Sequence, residues 1–145
     1  MSRPIPKVPP RFDALLFATQ PNAGAPNADI ESAVTPGGSG IVKIPIDRYA
    51  HLTSWSAFIW DNGQPQTTSA PTQAVIFRLY LERIGVTRHT PAGQTVIATS
   101  QQGAADSRQC DILLVPNDVL IASWRGIANQ NAVGYCRLLG DYVQL

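Results

Sequence analysis

The chain has 145 residues, which is enough for one domain that buries its own core without a metal ion or a disulfide. Charged residues make up only 14% of it, against about 25% in an average globular domain, and apolar residues reach 44%. The net charge is +1, but three of the eleven basic residues lie in the first eleven positions, which leaves eight basic against ten acidic residues elsewhere. Because this balance provides no basic stripe for a phosphate backbone, we expect no nucleic-acid partner.

Low charge also indicates that partner subunits cover part of the surface, so we expect a homo-oligomer. The alternative is that Thr, Ser, Gln and Asn replace charge on an uncovered surface. No stretch is apolar for the length of a membrane span, and the N-terminus lacks the apolar core of a secretory signal. We therefore expect a protein made in the cytoplasm, with no membrane contact.

The chain opens with SRPIPKVPPRF, which contains four prolines. Proline restricts φ and donates no amide hydrogen, so residues 1–11 are predicted to form an extended arm outside any helix or central strand. We predict that this segment, together with the adjoining Phe12, binds a partner through three basic and three apolar side chains: Arg3, Lys7, Arg11, Ile5, Val8 and Phe12. The alternative is a solvated tail.

Residues 12–145 are predicted to form a single β-sandwich domain. FDALLFATQP, residues 12–21, fits a first strand, and residues 21–40 form a connector rich in Gly and Pro with at most one helical turn, at 28–34. GIVKIPIDRY (40–49) and AVIFRLYLERI (74–84) alternate as strands do, and LTSWSAFIWD (52–61), with two tryptophans and a phenylalanine before a turn at Asn62-Gly63, is predicted as a further strand. Later strands are expected at 94–100, 109–115, 118–125 and 132–143, and Pro116-Asn117-Asp118 suits a tight hairpin connection.

About eight strands in this length predict an all-β fold, either a two-sheet jelly roll or a related Greek-key sandwich. An immunoglobulin-like sandwich is the rival, but the Cys110, Trp124 and Cys136 spacing matches its Cys-Trp-Cys order poorly. We expect both cysteines to be reduced core residues.

The sequence offers no recognisable catalytic motif, so we predict no enzyme, no cofactor and no metal. Its two histidines lack a second ligand at metal spacing, and GGSG at residues 37–40 is neither a nucleophile elbow nor a phosphate loop. Convergence of two scattered acids remains as the hydrolase alternative.

Trp55 and Trp60 are five positions apart, so on a strand they face opposite sides of the sheet. One of them is expected to be core and the other exposed. An exposed tryptophan beside the polar loop at 63–73 would stack on a sugar or anchor a protein interface.

The arm SRPIPKVPPRF, the connector PNAGAPNADIESAVTPGGSG and the charge-poor β body together resemble the small β-sandwich virion proteins of tailed bacteriophages, notably capsid decoration or cement proteins. This resemblance implies a non-enzymatic virion protein that clamps capsid or other virion subunits and assembles as a homo-oligomer, often a trimer. The alternative is a carbohydrate- or receptor-binding module of a phage tail or fibre or of a secreted protein.

Overall fold

The computed structural model describes residues 10–19, 29–33, 38–60, 74–83, 89–98, 105–125 and 133–143. These residues form strands and turns, which confirms the all-β prediction. None of them belongs to a helix with the length and apolar character needed to cross a bilayer. The strands are Arg11–Thr19 (β1), Asp29–Glu31 (β2), Val42–Lys43 (β3), Tyr49–Trp60 (β4), Ala74–Glu82 (β5), His89–Ala98 (β6), Ala105–Leu114 (β7), Val119–Arg125 (β8) and Val133–Val143 (β9).

The strands pair in two antiparallel sheets. The first sheet has the order β1-β9-β4-β7, and the second has the order β2-β8-β5-β6, with β3 also paired to β8. β2 and β3 occupy successive stretches of one edge of β8. With the two-residue β3 set aside, the chain crosses between two four-stranded sheets at nearly every connection, as it does in a jelly roll. This topology confirms the predicted sandwich.

The two sheets meet across an aromatic centre. Trp55 on β4 packs against Phe77 on β5 at 5.2 Å between ring centroids, and Phe77 packs against Trp124 on β8 at 5.4 Å. All three side chains are 2% exposed or less, and burial of a large apolar side chain contributes roughly 1.5–3 kcal/mol. Gly134 on β9 makes room for this centre, because a Cβ there would lie 2.6 Å from two ring carbons of Trp124.

An ion pair with a buried carboxylate closes the β7–β8 turn. The carboxylate of Asp118 is fully buried and accepts hydrogen bonds from Arg83 Nε and Nη2, both at 2.9 Å, and from the Val115 N–H at 2.8 Å. The Asp118 N–H donates to the Val115 carbonyl at 3.0 Å, and Asn117 has a φ of 69°, as the predicted turn requires. The pair therefore fixes the end of β5 to this turn.

A β-bulge interrupts β4 between Leu52 and Ser54, on both sides of the strand. The bulged residue, Thr53, donates its hydroxyl to the Leu139 carbonyl at 3.1 Å. Opposite the bulge, Gly140 approaches the β4 backbone so closely that a Cβ would lie 1.9 Å from the His51 carbonyl oxygen. The bulge thus depends on a glycine in β9.

Two predictions for the region between β1 and β4 are wrong. The helical turn expected at 28–34 is replaced by β2, because Ile30 is buried and pairs with Trp124 in the second sheet. The strand expected at 40–49 is reduced to β3. Pro45 has no N–H for a ladder, and its carbonyl accepts from the Arg48 N–H at 3.3 Å to close a turn.

Candidate functional site

β1 forms one edge of the first sheet, with β9 on one side and no strand of the described residues on the other. Peptide groups of an antiparallel strand point alternately to its two sides. Phe17 points away from β9, because its N–H donates to Ser39 Oγ at 2.8 Å and its carbonyl accepts from the Ser39 N–H at 2.9 Å. The same alternation directs the peptide groups of Arg11, Asp13 and Leu15 away from β9.

Within the described ranges, nothing bonds the outward peptide groups of Arg11, Asp13 and Leu15. We call this stretch the open edge. At its start, the Pro10 carbonyl accepts from the Tyr142 N–H at 2.8 Å, so the pairing of β1 with β9 extends to Pro10. The N-terminal arm therefore joins the body at a strand edge that none of the described residues covers, and natural proteins usually protect such an edge against further pairing.

The side chains beside the open edge combine an apolar residue with a charged pair. Leu15 is 48% exposed on the outer face of the sheet. Next to it, Asp13 accepts from Arg137 Nε at 3.2 Å and from Arg137 Nη2 at 2.8 Å. These hydrogen bonds lower the pKa of Asp13 and raise the pKa of Arg137, with Arg11 adding a weaker attraction to Asp13. Asp13 is therefore a carboxylate at neutral pH.

An aromatic row crosses the outer face of the same sheet. Phe17, Tyr135 and Phe58 lie opposite one another on β1, β9 and β4. Tyr135 stacks on Phe58 at 4.9 Å and 15° between ring planes, and it lies 6.2 Å from Phe17. Because Tyr135 and Phe58 stack on each other, the ring faces between them are occupied. All three rings are half-buried, so the row forms an apolar stripe across this face.

The far side of the outer face carries a hydrogen-bonded histidine and aspartate beside an exposed leucine. His51 on β4 bonds the carboxylate of Asp111 on β7, and Leu113, directly opposite His51, is 54% exposed. In the part of the chain that is described, no three His, Cys, Asp or Glu side chains cluster to hold a metal ion. The acids Asp13, Asp111 and Asp118 each contact a basic side chain, so none of these three forms a paired-acid site.

The structure corrects two of the predicted contact residues. Phe12 is 2% exposed and packs edge-on against Tyr142 at 5.5 Å, so it anchors β1 in its own core and not on a partner. Trp55 is 2% exposed beside Phe77, so it offers no stacking surface. Both corrections follow from strand alternation, which turns these two rings inward.

Only some of the other predicted contact residues lie in the described part of the chain. Arg11 is exposed and begins β1. Trp60 ends β4 opposite Val133, and its side chain lies outside the described residues. Four arm residues also lie outside them: Arg3, Ile5, Lys7 and Val8.

Comparison with protein-family models and with curated proteins gives no match. The candidate site therefore depends on geometry alone, namely the open edge, Leu15 and the aromatic row. Sequence reasoning missed Leu15, Phe17, Ser39 and Tyr135. The alternation of residues 12–18 could have placed Leu15 and Phe17 on the outer face, whereas the contact between Ser39 and Phe17 has no local sequence signal.

Both cysteines are free thiols, with Cys136 buried and Cys110 half-buried, in agreement with the sequence prediction. Burial raises the pKa of both, and the nearby Asp111 charge adds to the increase at Cys110. Since the thiolate is the reactive form, we expect a thiol reagent at about pH 8 to label native Cys110 slowly and Cys136 only after unfolding. The Cys110→Ser variant retains only the Cys136 thiol, so its labelling rate shows which of the two rates belongs to which cysteine. Rapid labelling of both thiols in the native protein would contradict this expectation.

Proposed function

We propose that the protein is a non-enzymatic structural protein of a virion, of the capsid decoration or cement type, which docks on other virion subunits through its N-terminal arm. One observation carries the proposal: the arm begins where Pro10 bonds Tyr142, at the start of an open strand edge. The root of the arm is thus fixed by the buried Phe12. An arm that is rooted in this way, and whose backbone is restricted by prolines, loses less entropy on docking than a free tail does.

Exposed apolar side chains on the body support contact with further subunits. Leu15 borders the open edge, and Leu113 and Val143 lie on the outer face of the same sheet, at 54% and 39% exposure. In the turn before β4, Ile46 is 78% exposed. Isolated exposed apolar side chains are ordinary on a folded protein, but Leu15 lies beside a strand edge that no described residue covers.

The surface charges support a partner that is recognised by backbone and apolar contacts. Asp13 pairs with Arg137, and Asp111 pairs with His51. The charges of Asp13 and Arg137 neutralise each other locally, and exposed pairs of this kind contribute little stability. The outer face therefore offers few unpaired charges for an ionic partner, which favours a protein subunit.

The test is whether the protein belongs to purified virus particles. We expect mass spectrometry of density-gradient-purified phage-like particles, from the cells that encode the protein, to find it together with capsid protein. Particles made without the gene should bind added full-length protein and should not retain a variant that lacks residues 1–9. That truncation keeps Pro10, so every described contact of the body remains. Particles that contain no copies and bind none would overturn the proposal.

A further inference from the structure

We propose that the arm of one copy, residues 1–9, adds as a β-strand to the open edge of a second copy, and that the two copies exchange arms about a two-fold axis. The inference rests on the proposed function in so far as the arm is taken to dock, and the virion subunit on which it docks is then a second copy of this chain. It goes further by naming the occupant of the edge, a second copy of this chain, and the pairing between them. The arm itself lies outside the described residues.

Pro10 and the two residues before it favour an arm that continues the direction of β1. Pro10 already continues β1, because its carbonyl is paired with Tyr142. Val8 and Pro9 each precede a proline, and that position favours extended backbone over a turn back towards β1. Nine extended residues reach about 30 Å, whereas the open edge from Arg11 to Leu15 spans only about 13 Å. The arm is therefore long enough to cover the edge of a neighbour.

The prolines of the arm leave one edge able to donate hydrogen bonds and impair the other. In an extended segment, residues of the same parity point their peptide groups to the same side. Prolines occupy the even positions 4, 6 and 10 and the odd position 9, while N–H groups are present at the odd positions 3, 5 and 7. The open edge also consists of odd positions. An arm strand can thus pair on its odd side and cannot template a further full strand on its even side.

The covered end of β1 limits how the arm can be placed. Both peptide groups of Phe17 are bonded to Ser39, so the open edge ends at Leu15. An antiparallel arm strand with Ile5 opposite Leu15 gives this exposed leucine an apolar neighbour on the same face. Apolar cross-strand pairs of this kind stabilise a sheet.

The same register places Lys7 opposite Asp13, a carboxylate at neutral pH that already bonds Arg137. A shift of two residues would instead place Lys7 opposite Arg11, and like charges directly opposite each other destabilise a sheet. The favoured register is symmetric, so each pair occurs twice about the two-fold axis. The assembly is then a dimer, in place of the trimer that the phage resemblance favours.

Two proline substitutions in the full-length chain test the pairing side. Ile5→Pro removes an amide from the odd side of the arm, and Val8→Pro removes one from the even side. Each replaces a β-branched apolar residue in the same arm. By light scattering against concentration, we expect Ile5→Pro to weaken dimerisation at least about tenfold, because one bond is lost in each arm. Val8→Pro should leave the dimer within about threefold of the unchanged chain.

Equal effects of the two prolines would overturn strand addition, since an arm that binds without strand pairing has no preferred side for its peptide groups. A monomeric or trimeric full-length chain would overturn the two-fold exchange. The variant lacking residues 1–9 should be a folded monomer, and a dimer of the same strength without the arm would also contradict the proposal.

Disulfide capture tests the register. Residues that exchange hydrogen bonds in an antiparallel pair have Cα atoms about 5.5 Å apart, which suits a disulfide. Ile5→Cys with Leu15→Cys should therefore give a covalent dimer under mild oxidation that reduction reverses. Ile5→Cys with Leu113→Cys is the matched control, because Leu113 is as exposed as Leu15 but lies on β7, at the opposite edge of the sheet. Equal or better capture with Leu113→Cys would contradict the register.

These outcomes separate the two proposals. A protein that is found in particles but is monomeric in solution would end the exchange model and leave the virion function standing. A dimer with the expected response to Ile5→Pro, absent from all particles, would support the exchange and remove the virion function.

Discussion

Replacing Arg83 by methionine is expected to lower the free energy of unfolding by about 3–5 kcal/mol. The reason is that Asp118 is fully buried, and both of its carboxylate oxygens accept from Arg83. Without the guanidinium, the Val115 N–H is the only other described donor to that carboxylate. Chemical denaturation at neutral pH measures the loss. It would be a large part of the 5–15 kcal/mol typical of a domain.

Arg48→Met is the matched control for Arg83→Met. The Arg48 side chain is 42% exposed, against 41% for Arg83, but its partner Asp47 is 73% exposed at 3.8 Å. Arg48 also lies over the Tyr142 ring at 5.3 Å. Contacts of these kinds contribute at most about 1 kcal/mol. Equal losses from the two substitutions would show that burial of Asp118 does not determine the cost.

Gly140→Ala is expected to cost about 3 kcal/mol or more, because overpacking against a backbone cannot be relieved by a side-chain rotation. The new Cβ would lie 1.9 Å from the His51 carbonyl oxygen and 3.1 Å from the Leu52 Cα. β4 is the central partner of both β9 and β7, so displacing it disturbs the middle of the first sheet. Thermal and chemical denaturation should both report the loss.

Gly40→Ala provides the comparison for Gly140→Ala. A Cβ at Gly40 meets nothing within 4 Å, but the φ of 92° is one that alanine rarely adopts. Strain of this kind costs on the order of 1–3 kcal/mol. We expect Gly140→Ala to be the more destabilising of the two. The reverse order would show that the β4 bulge adapts easily to a side chain.

Local sequence patterns predicted the strands that carry their own periodicity. β1, β5 and β8 follow from alternating or apolar runs, and the β7–β8 turn follows from Asn117 and its neighbours. β2 could not be predicted in this way. Its three residues are a strand only because Ile30 reaches β8 across more than ninety positions of sequence, and such pairing leaves no local periodicity.

The candidate site was predictable in part. The prolines marked the arm, but Phe12 was assigned to it, although Phe12 and Leu16 share the parity of the buried face of β1. The position of β1 at a sheet edge could not be foreseen, because strand order depends on long-range pairing. The residue at which the open edge ends could not be predicted either, because it depends on the hydrogen bond from the Ser39 N–H to the Phe17 carbonyl.

Hydrogen exchange in β1 tests the exchange of arms most directly. The Asp13 and Leu15 amides point to the open edge, while those of Ala14 and Leu16 point towards β9. In the full-length dimer we predict slow exchange for all four amides. In the variant lacking residues 1–9, Asp13 and Leu15 should exchange at least about tenfold faster, with Ala14 and Leu16 unchanged. Identical exchange of Asp13 and Leu15 with and without the arm would contradict the account.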